Sequence, residues 1–187
     1  GGEEALAVLA VVYTLTYMPY GWLNDLRALV AAFWTTAEQV RHQLRRFAMG
    51  CCGLALAINI ILFCTPLRDI ILGDLIGLEP TLVDLCREPL LLFCAVPLAV
   101  TVRTYFQGVA VVERRTLTLA PSGPCRIGII FAVLALVPST AMAGASRGIL
   151  ALVAGFFLEG AVVWWCVRQA HSSTSPSTTS GSKTNRA

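Results

Sequence analysis

Ionisable side chains are scarce in the long apolar runs of this 187-residue chain, and the few that occur there are the natural candidates for chemistry. Tyr13, Thr16, Tyr20, Asn24 and Arg27 recur at steps of three and four residues within an otherwise apolar run, 5–33. That spacing puts them on one face of a helix. Asp25 stands beside them, Arg103 lies in a later run and Glu159 in the last. In hydrocarbon each such charge costs on the order of 3 kcal/mol on insertion scales, so it must pair, bind a ligand or face a water-filled cavity. The guanidinium forks of Arg27 and Arg103 suit phosphate or carboxylate, and Asn24 and Tyr20 add hydrogen bonding beside them. Snorkelling to the membrane interface is the competing reading for both arginines. For Glu159 the readings are ion coupling, a salt bridge to arginine, or a packing hydrogen bond. Asp25 is a coupling or salt-bridge candidate, although groups two apart do not face each other on a regular helix. Tyr13 and Tyr105 add further hydrogen-bonding capacity within the runs.

The elements that must position these residues are membrane helices. Hydrophobic residues make up 56% of the chain and charged ones 13%, with a mean hydropathy of +0.71. A soluble domain carries about a quarter charged residues. The expectation is an all-α membrane protein with about five transmembrane helices, at 5–33, 47–64, 89–110, 117–138 and 141–167. Pro19 and Gly21 predict a kink or local unwinding near Tyr20, and Pro97 interrupts the third span. These three are the hinge candidates. The segment 67–84 mixes charges with Ile and Leu at helical spacing and reads as amphipathic, lying at the interface until Glu79-Pro80 breaks it. The fourth span starts either at Cys125 or with 117–120 re-entering the membrane, because Ala120-Pro121-Ser122-Gly123-Pro124 is a breaker cluster. Gly144, Gly148, Ala151, Gly155 and Glu159 line one face of the fifth span and invite close packing. Residues 1–170 form the helical lobe, and the Ser/Thr-rich 171–187 reads as a disordered tail.

Lysine and arginine give the orientation. Arg41, Arg45, Arg46, Arg114, Arg115, Arg126, Arg168, Lys183 and Arg186 fall on one side, against Arg68, Arg87 and Arg147 on the other. The richer side, with the C-terminal tail, is expected to be cytoplasmic. The net charge of +3 comes with no basic, aromatic-interleaved run, so nucleic acid is not an expected partner. Seven cysteines without a Cys-x-x-Cys pair, and two distant histidines, exclude a recognisable zinc site or disulfide framework. They read as small apolar filler. No His-Glu-x-x-His, no paired intramembrane aspartates and no phosphate-binding Gly-Lys loop occur. The chain is therefore expected to be no enzyme and to use no cofactor or metal. It begins at Gly1 without an initiator Met and reads as a fragment lacking an N-terminal portion.

Met18-Pro19-Tyr20-Gly21-Trp22-Leu23, followed by Arg27-Ala28, resembles the progressive ankylosis protein family. Further matches follow in order: Thr65-Pro66, Ile76-Gly77, Leu85-Cys86, Val100-Thr101-Val102-Arg103, Leu119-Ala120-Pro121-Ser122, and Ala154-Gly155-Phe156 with Glu159. The resemblance runs from about residue 4 to 167 and looks like the C-terminal half of such a protein. It implies a fold similar to multidrug-and-toxin-extrusion-type transporters, so that the chain resembles most of one six-helix lobe of a twelve-helix transporter. It also implies export of pyrophosphate, or of phosphate, ATP or citrate, across the plasma membrane, with an influence on mineralisation. Arg27, Arg103 and Glu159 coincide with charged positions of the family pattern, and Asp25 stands where Glu is expected. Arg87-Glu88 replaces apolar positions, an arginine after Pro89-Leu90 is absent, and the tail is Ser/Thr-rich instead of acidic. The implied partners are the lipid bilayer, a small anion, and a missing N-terminal lobe or another copy of the chain. A non-transporting membrane scaffold or inactive fragment is the alternative.

Overall fold

The computed structural model describes residues 2–35, 37–114, 116–138 and 144–172. Among them the architecture is helical, with no strand. Helix α1, Gly2–Tyr20, carries Glu3 and Glu4 in its first turn, where their charge suits the positive end of the helix. It passes into a 3-10 turn, Gly21–Asp25, and then into α2, Leu26–Phe33. Helix α3, Glu38–Cys64, returns across the structure. A short α4, Leu67–Asp69, runs into a π-helical stretch, Ile70–Leu75. Then come α5, Pro80–Phe93, α6, Val96–Val112, a 3-10 turn, Thr116–Leu119, α7, Ser122–Leu136, and α8, Gly144–Ser172. Four stretches are long and apolar enough to cross a membrane: Glu3–Phe33, Glu38–Cys64, Pro80–Val112 and Gly144–Gln169. Helix α7 is apolar but shorter; its 15 residues span about 22 Å at 1.5 Å per residue, short of a hydrocarbon core of about 30 Å.

The unwinding near Tyr20 has its own hydrogen bonding. Pro19 still lies within α1, and the chain tightens immediately after Tyr20. The Trp22 indole donates to the Pro19 carbonyl at 2.8 Å, and Asn24 Nδ2 donates to the Gly21 carbonyl at 2.9 Å. Side chains thus satisfy carbonyls at the junction, which matters where no water is at hand. Pro97 lies in the first turn of α6, after a turn at Cys94 and Ala95. There its missing N–H interrupts no helical bond.

Several expected boundaries are corrected. The third span begins at Pro80 instead of residue 89, because Pro80 occupies a first helical turn and starts the helix. The amphipathic segment 67–84 is therefore not one element. It ends before Gly77, whose φ of +76° is a left-handed turn, and Leu82 to Asp84 belong to the spanning helix. The second span starts at Glu38, nine residues ahead of the expected 47. The fourth starts at Ser122, so Pro124 falls in a first turn and breaks nothing, while Thr116–Leu119 is a separate 3-10 turn. The last helix reaches Ser172, so the first two residues of the expected tail are helical; residues 173–187 lie outside the described residues.

Helix α8 packs along α7, α6, α5 and α1, and α6 packs against α2. A Cβ on Gly160 would lie 3.1 Å from the Ala99 carbonyl oxygen, so α8 meets the α6 backbone there. One on Gly108 would lie 2.7 Å from Val30 Cβ and 2.9 Å from the Arg27 carbonyl oxygen, so α6 and α2 are equally close. The expected small-residue stripe on α8 meets two neighbours: Gly148 abuts Leu9 of α1, and Gly155 abuts Ile130 and Arg126 of α7. Near the other end, the buried Ser146 donates to Glu88 at 2.7 Å and Arg147 donates to the Leu134 carbonyl. Glu88 thus ties α5 to α8. The core follows from this packing, with Tyr20, Leu23, Val30, Phe63, Phe93, Val96 and Ile149 at its centre.

Candidate functional site

Four elements bring one polar cluster together. Arg103 projects from α6, Arg126 from the first turns of α7, Glu159 from α8 and Asn24 from the 3-10 turn. Arg103 Nη1 donates to Glu159 Oε2 at 3.1 Å, and Arg103 Nη2 donates to Asn24 Oδ1 at 2.9 Å. Arg126 Nη1 donates to the same Glu159 Oε2 at 3.4 Å. The side chains of Arg103 and Glu159 are 14% and 10% exposed, that of Arg126 30%. Phe156, one turn before Glu159 on α8, lies under both guanidinium groups, 5.8 Å from Arg103 and 4.4 Å from Arg126. Its ring face is electron-rich and attracts both cations.

Two arginines against one carboxylate leave one positive charge in excess. Arg103 Nε is buried without a hydrogen-bond partner, as is the Tyr20 hydroxyl. Tyr20 lies within electrostatic reach of both arginines. An unpartnered buried donor costs about 1–3 kcal/mol, so the cluster has unused binding capacity. Forked, planar guanidinium donors in an apolar setting are the kind of group that suits an anion.

The sequence-derived candidates divide. Arg103, Glu159, Asn24 and Tyr20 gather in or beside the cluster. Arg27 and Asp25 do not: both are exposed, and no ion pair joins them among the described residues. The 3-10 turn explains this. The chain turns at about 3.0 residues per turn through Gly21–Asp25, so neither Asn24 nor Arg27 continues the stripe of Tyr13, Thr16 and Tyr20 at α-helical spacing; Asn24 reaches Arg103 from within the turn. The rest of the stripe also separates. Thr16 is buried and donates to the Val12 carbonyl at 2.6 Å, whereas Tyr13 is 41% exposed and edges onto Phe93. Tyr105 packs between Trp34 and Phe106, away from the cluster.

Sequence reasoning missed Arg126 as a site residue: the expected fourth span contained it, but it was counted only among the topological charges in loops and at span ends. No local pattern signals its contact with Glu159, 33 residues away. Phe156 was also missed as a participant, although its spacing of three from Glu159 puts both on one face.

Residues 1–65 match the model of the family described as Progressive ankylosis protein (ANKH). The matched stretch covers α1 to α3 and the Pro19–Gly21 junction, and it contains Asn24 and Tyr20 but not Arg103, Arg126 or Glu159. No solved structure matches the chain.

Proposed function

We propose that this helical membrane protein forms part of a transporter exporting inorganic pyrophosphate or a related multivalent anion such as phosphate, ATP or citrate, and thereby influences mineralisation. One observation carries the reading: Arg103 and Arg126 share the single carboxylate of Glu159, leaving excess positive charge inside an apolar helical lobe. The similarity of residues 1–65 to the progressive ankylosis protein family supports the choice of anion.

In this reading the anion binds between Arg103 and Arg126 and competes with Glu159 for their donors. Asn24 holds the second Nη of Arg103 and fixes the plane of its fork. Tyr20 offers its hydroxyl from the adjoining turn. Glu159 is the natural group to couple transport to an ion or proton, because it must release an arginine when the anion arrives. The Pro19–Gly21 junction and the Pro97 turn are the flexure points for alternating access. A facing lobe, or a second copy, supplies the opposite wall. The setting is the plasma membrane, with the C-terminal end cytoplasmic.

Asp25 and Arg27 stand outside this site. Arg27 lies six residues before the end of α2, within reach of the interface, and its role is snorkelling.

A second reading has support of its own. The Arg103–Glu159–Arg126 bridge joins α6, α7 and α8 and would serve a non-transporting scaffold as a clamp. Pyrophosphate and ATP release from cells expressing the full-length protein separates the two. Arg103→Gln with Arg126→Gln, at matched surface abundance, is expected to abolish release. Release at the wild-type level by that variant would remove the binding role, and no release by the wild type would favour the scaffold.

A further inference from the structure

A second basic site lies where α2 ends and α3 begins, on residues distinct from those of the Glu159 cluster. A cavity of about 560 Å³ opens there between α3, α6 and α8, capped by Trp34 after α2. Its size lies within the usual range for small-ligand pockets, about 300–1,000 Å³. Arg41 and Arg45 enter it from one face of α3, one turn apart, with His42 beside them, and Arg168 enters from the last turns of α8. Glu38 is the one acidic side chain in the lining. Three guanidinium groups thus meet one carboxylate, and Arg45 forms no ion pair among the described residues.

The positive charge expected on the cytoplasmic side accounts for arginines at these helix ends, but not for three of them converging on one cavity, where like charges repel. The indoles show how the arrangement is held. The Arg41 guanidinium lies 5.9 Å from the Trp34 ring, and that of Arg168 lies 4.6 Å from Trp164. A stacked guanidinium keeps its in-plane N–H donors free, and those are the donors a phosphate uses in a forked contact. The cavity lies at the ends of apolar helices, which in a membrane-spanning lobe meet the headgroup layer, the level where tryptophan concentrates. Basic pockets between helices at this depth take anionic headgroups.

We propose that this pocket binds terminal phosphoryl groups, with Arg41, Arg45 and Arg168 as its ligands and Trp34 and Trp164 as the walls that orient them. The phosphate belongs either to a phosphorylated lipid headgroup or to a soluble phosphate compound. The site is separate from the one assigned to export.

The test is equilibrium binding to the full chain in nanodiscs, read by native mass spectrometry. One arm uses phosphatidylcholine discs doped with phosphatidylinositol bisphosphate. The other uses phosphatidylcholine alone with inorganic pyrophosphate in solution. Arg41→Gln with Arg45→Gln, and separately Arg168→Gln, are expected to weaken binding in one arm by about tenfold or more, as loss of charge-assisted contacts implies. Arg103→Gln is expected to leave the lipid arm unchanged, which separates this site from the export site. Loss in the lipid arm identifies a headgroup, and loss in the pyrophosphate arm identifies a soluble ligand. Absence of binding in both arms, or binding by the Arg41→Gln, Arg45→Gln and Arg168→Gln proteins at wild-type strength, would overturn the proposal.

Discussion

The chain holds arginines in two settings that differ in depth and in company. Arg103 and Arg126 lie among apolar helices and share Glu159, with Asn24 and the Phe156 ring completing their surroundings. Arg41, Arg45 and Arg168 lie at helix ends, exposed, two of them leaning on indoles instead of carboxylates. Burial explains the contrast. A guanidinium at depth is tolerated only with a counter-charge, whereas one at a wet boundary tolerates like-charged neighbours. The deep cluster therefore couples stability to binding, and the boundary site is free to be lost without unfolding.

The strongest way to break that contrast is Glu159→Ala. It strands the largely buried Arg103, 14% exposed, and leaves the partly exposed Arg126 without its carboxylate; breaking a buried pair costs about 3–5 kcal/mol. Unfolding in a denaturing-detergent titration is expected to show that loss, and an unchanged midpoint would mean that water or lipid phosphate already neutralises the cluster. Gly108→Ala comes next. Its methyl would meet Val30 Cβ at 2.7 Å and the Arg27 carbonyl oxygen at 2.9 Å, forcing α6 from α2 at a cost of about 1–3 kcal/mol. The same titration checks it, and wild-type stability would mean that the two helices yield freely. Arg126→Ala leaves the Arg103–Glu159 bond in place and removes a longer, 3.4 Å contact of a side chain that is 30% exposed. About 1 kcal/mol is expected, and a larger loss would show that Arg126, not Arg103, is the main partner of Glu159. Smallest is Arg27→Ala, expected within about 0.5 kcal/mol because the side chain is exposed and forms no ion pair among the described residues. A loss above about 1 kcal/mol would assign it a partner in the facing lobe or the bilayer interface.

The membrane architecture was legible because hydrocarbon forces apolar spans, and Arg103 and Glu159 stood out against them for the same reason. Asn24 was legible as a polar residue within an apolar run, although the 3-10 turn carries it off the α-helical spacing from Tyr20. Arg27 was drawn into the stripe because helical periodicity was extended across a junction where the chain tightens to 3-10 geometry. Arg126 was passed over because it counted only as a topological charge, and its contact with Glu159 lies 33 residues away in sequence. The start of the third span was obscured by Asp84, Arg87 and Glu88, which dilute its hydropathy; Glu88 is engaged by Ser146 of α8. That partner lies 58 residues away, and no local pattern announces it. The boundary pocket was equally illegible, since Arg41, Arg45 and Arg168 counted only as topological charges until α3 and α8 brought their ends together.

The most direct test of the buried arginine pair as the anion site is pyrophosphate efflux from vesicles bearing the full-length protein, with nucleotides absent. Arg103→Gln with Arg126→Gln is compared with Arg27→Gln at equal amounts of folded protein. The account expects efflux to fall to background in the first and to stay near the wild-type rate in the second. Wild-type efflux from the doubly substituted protein, or its loss on substituting Arg27 alone, would contradict it.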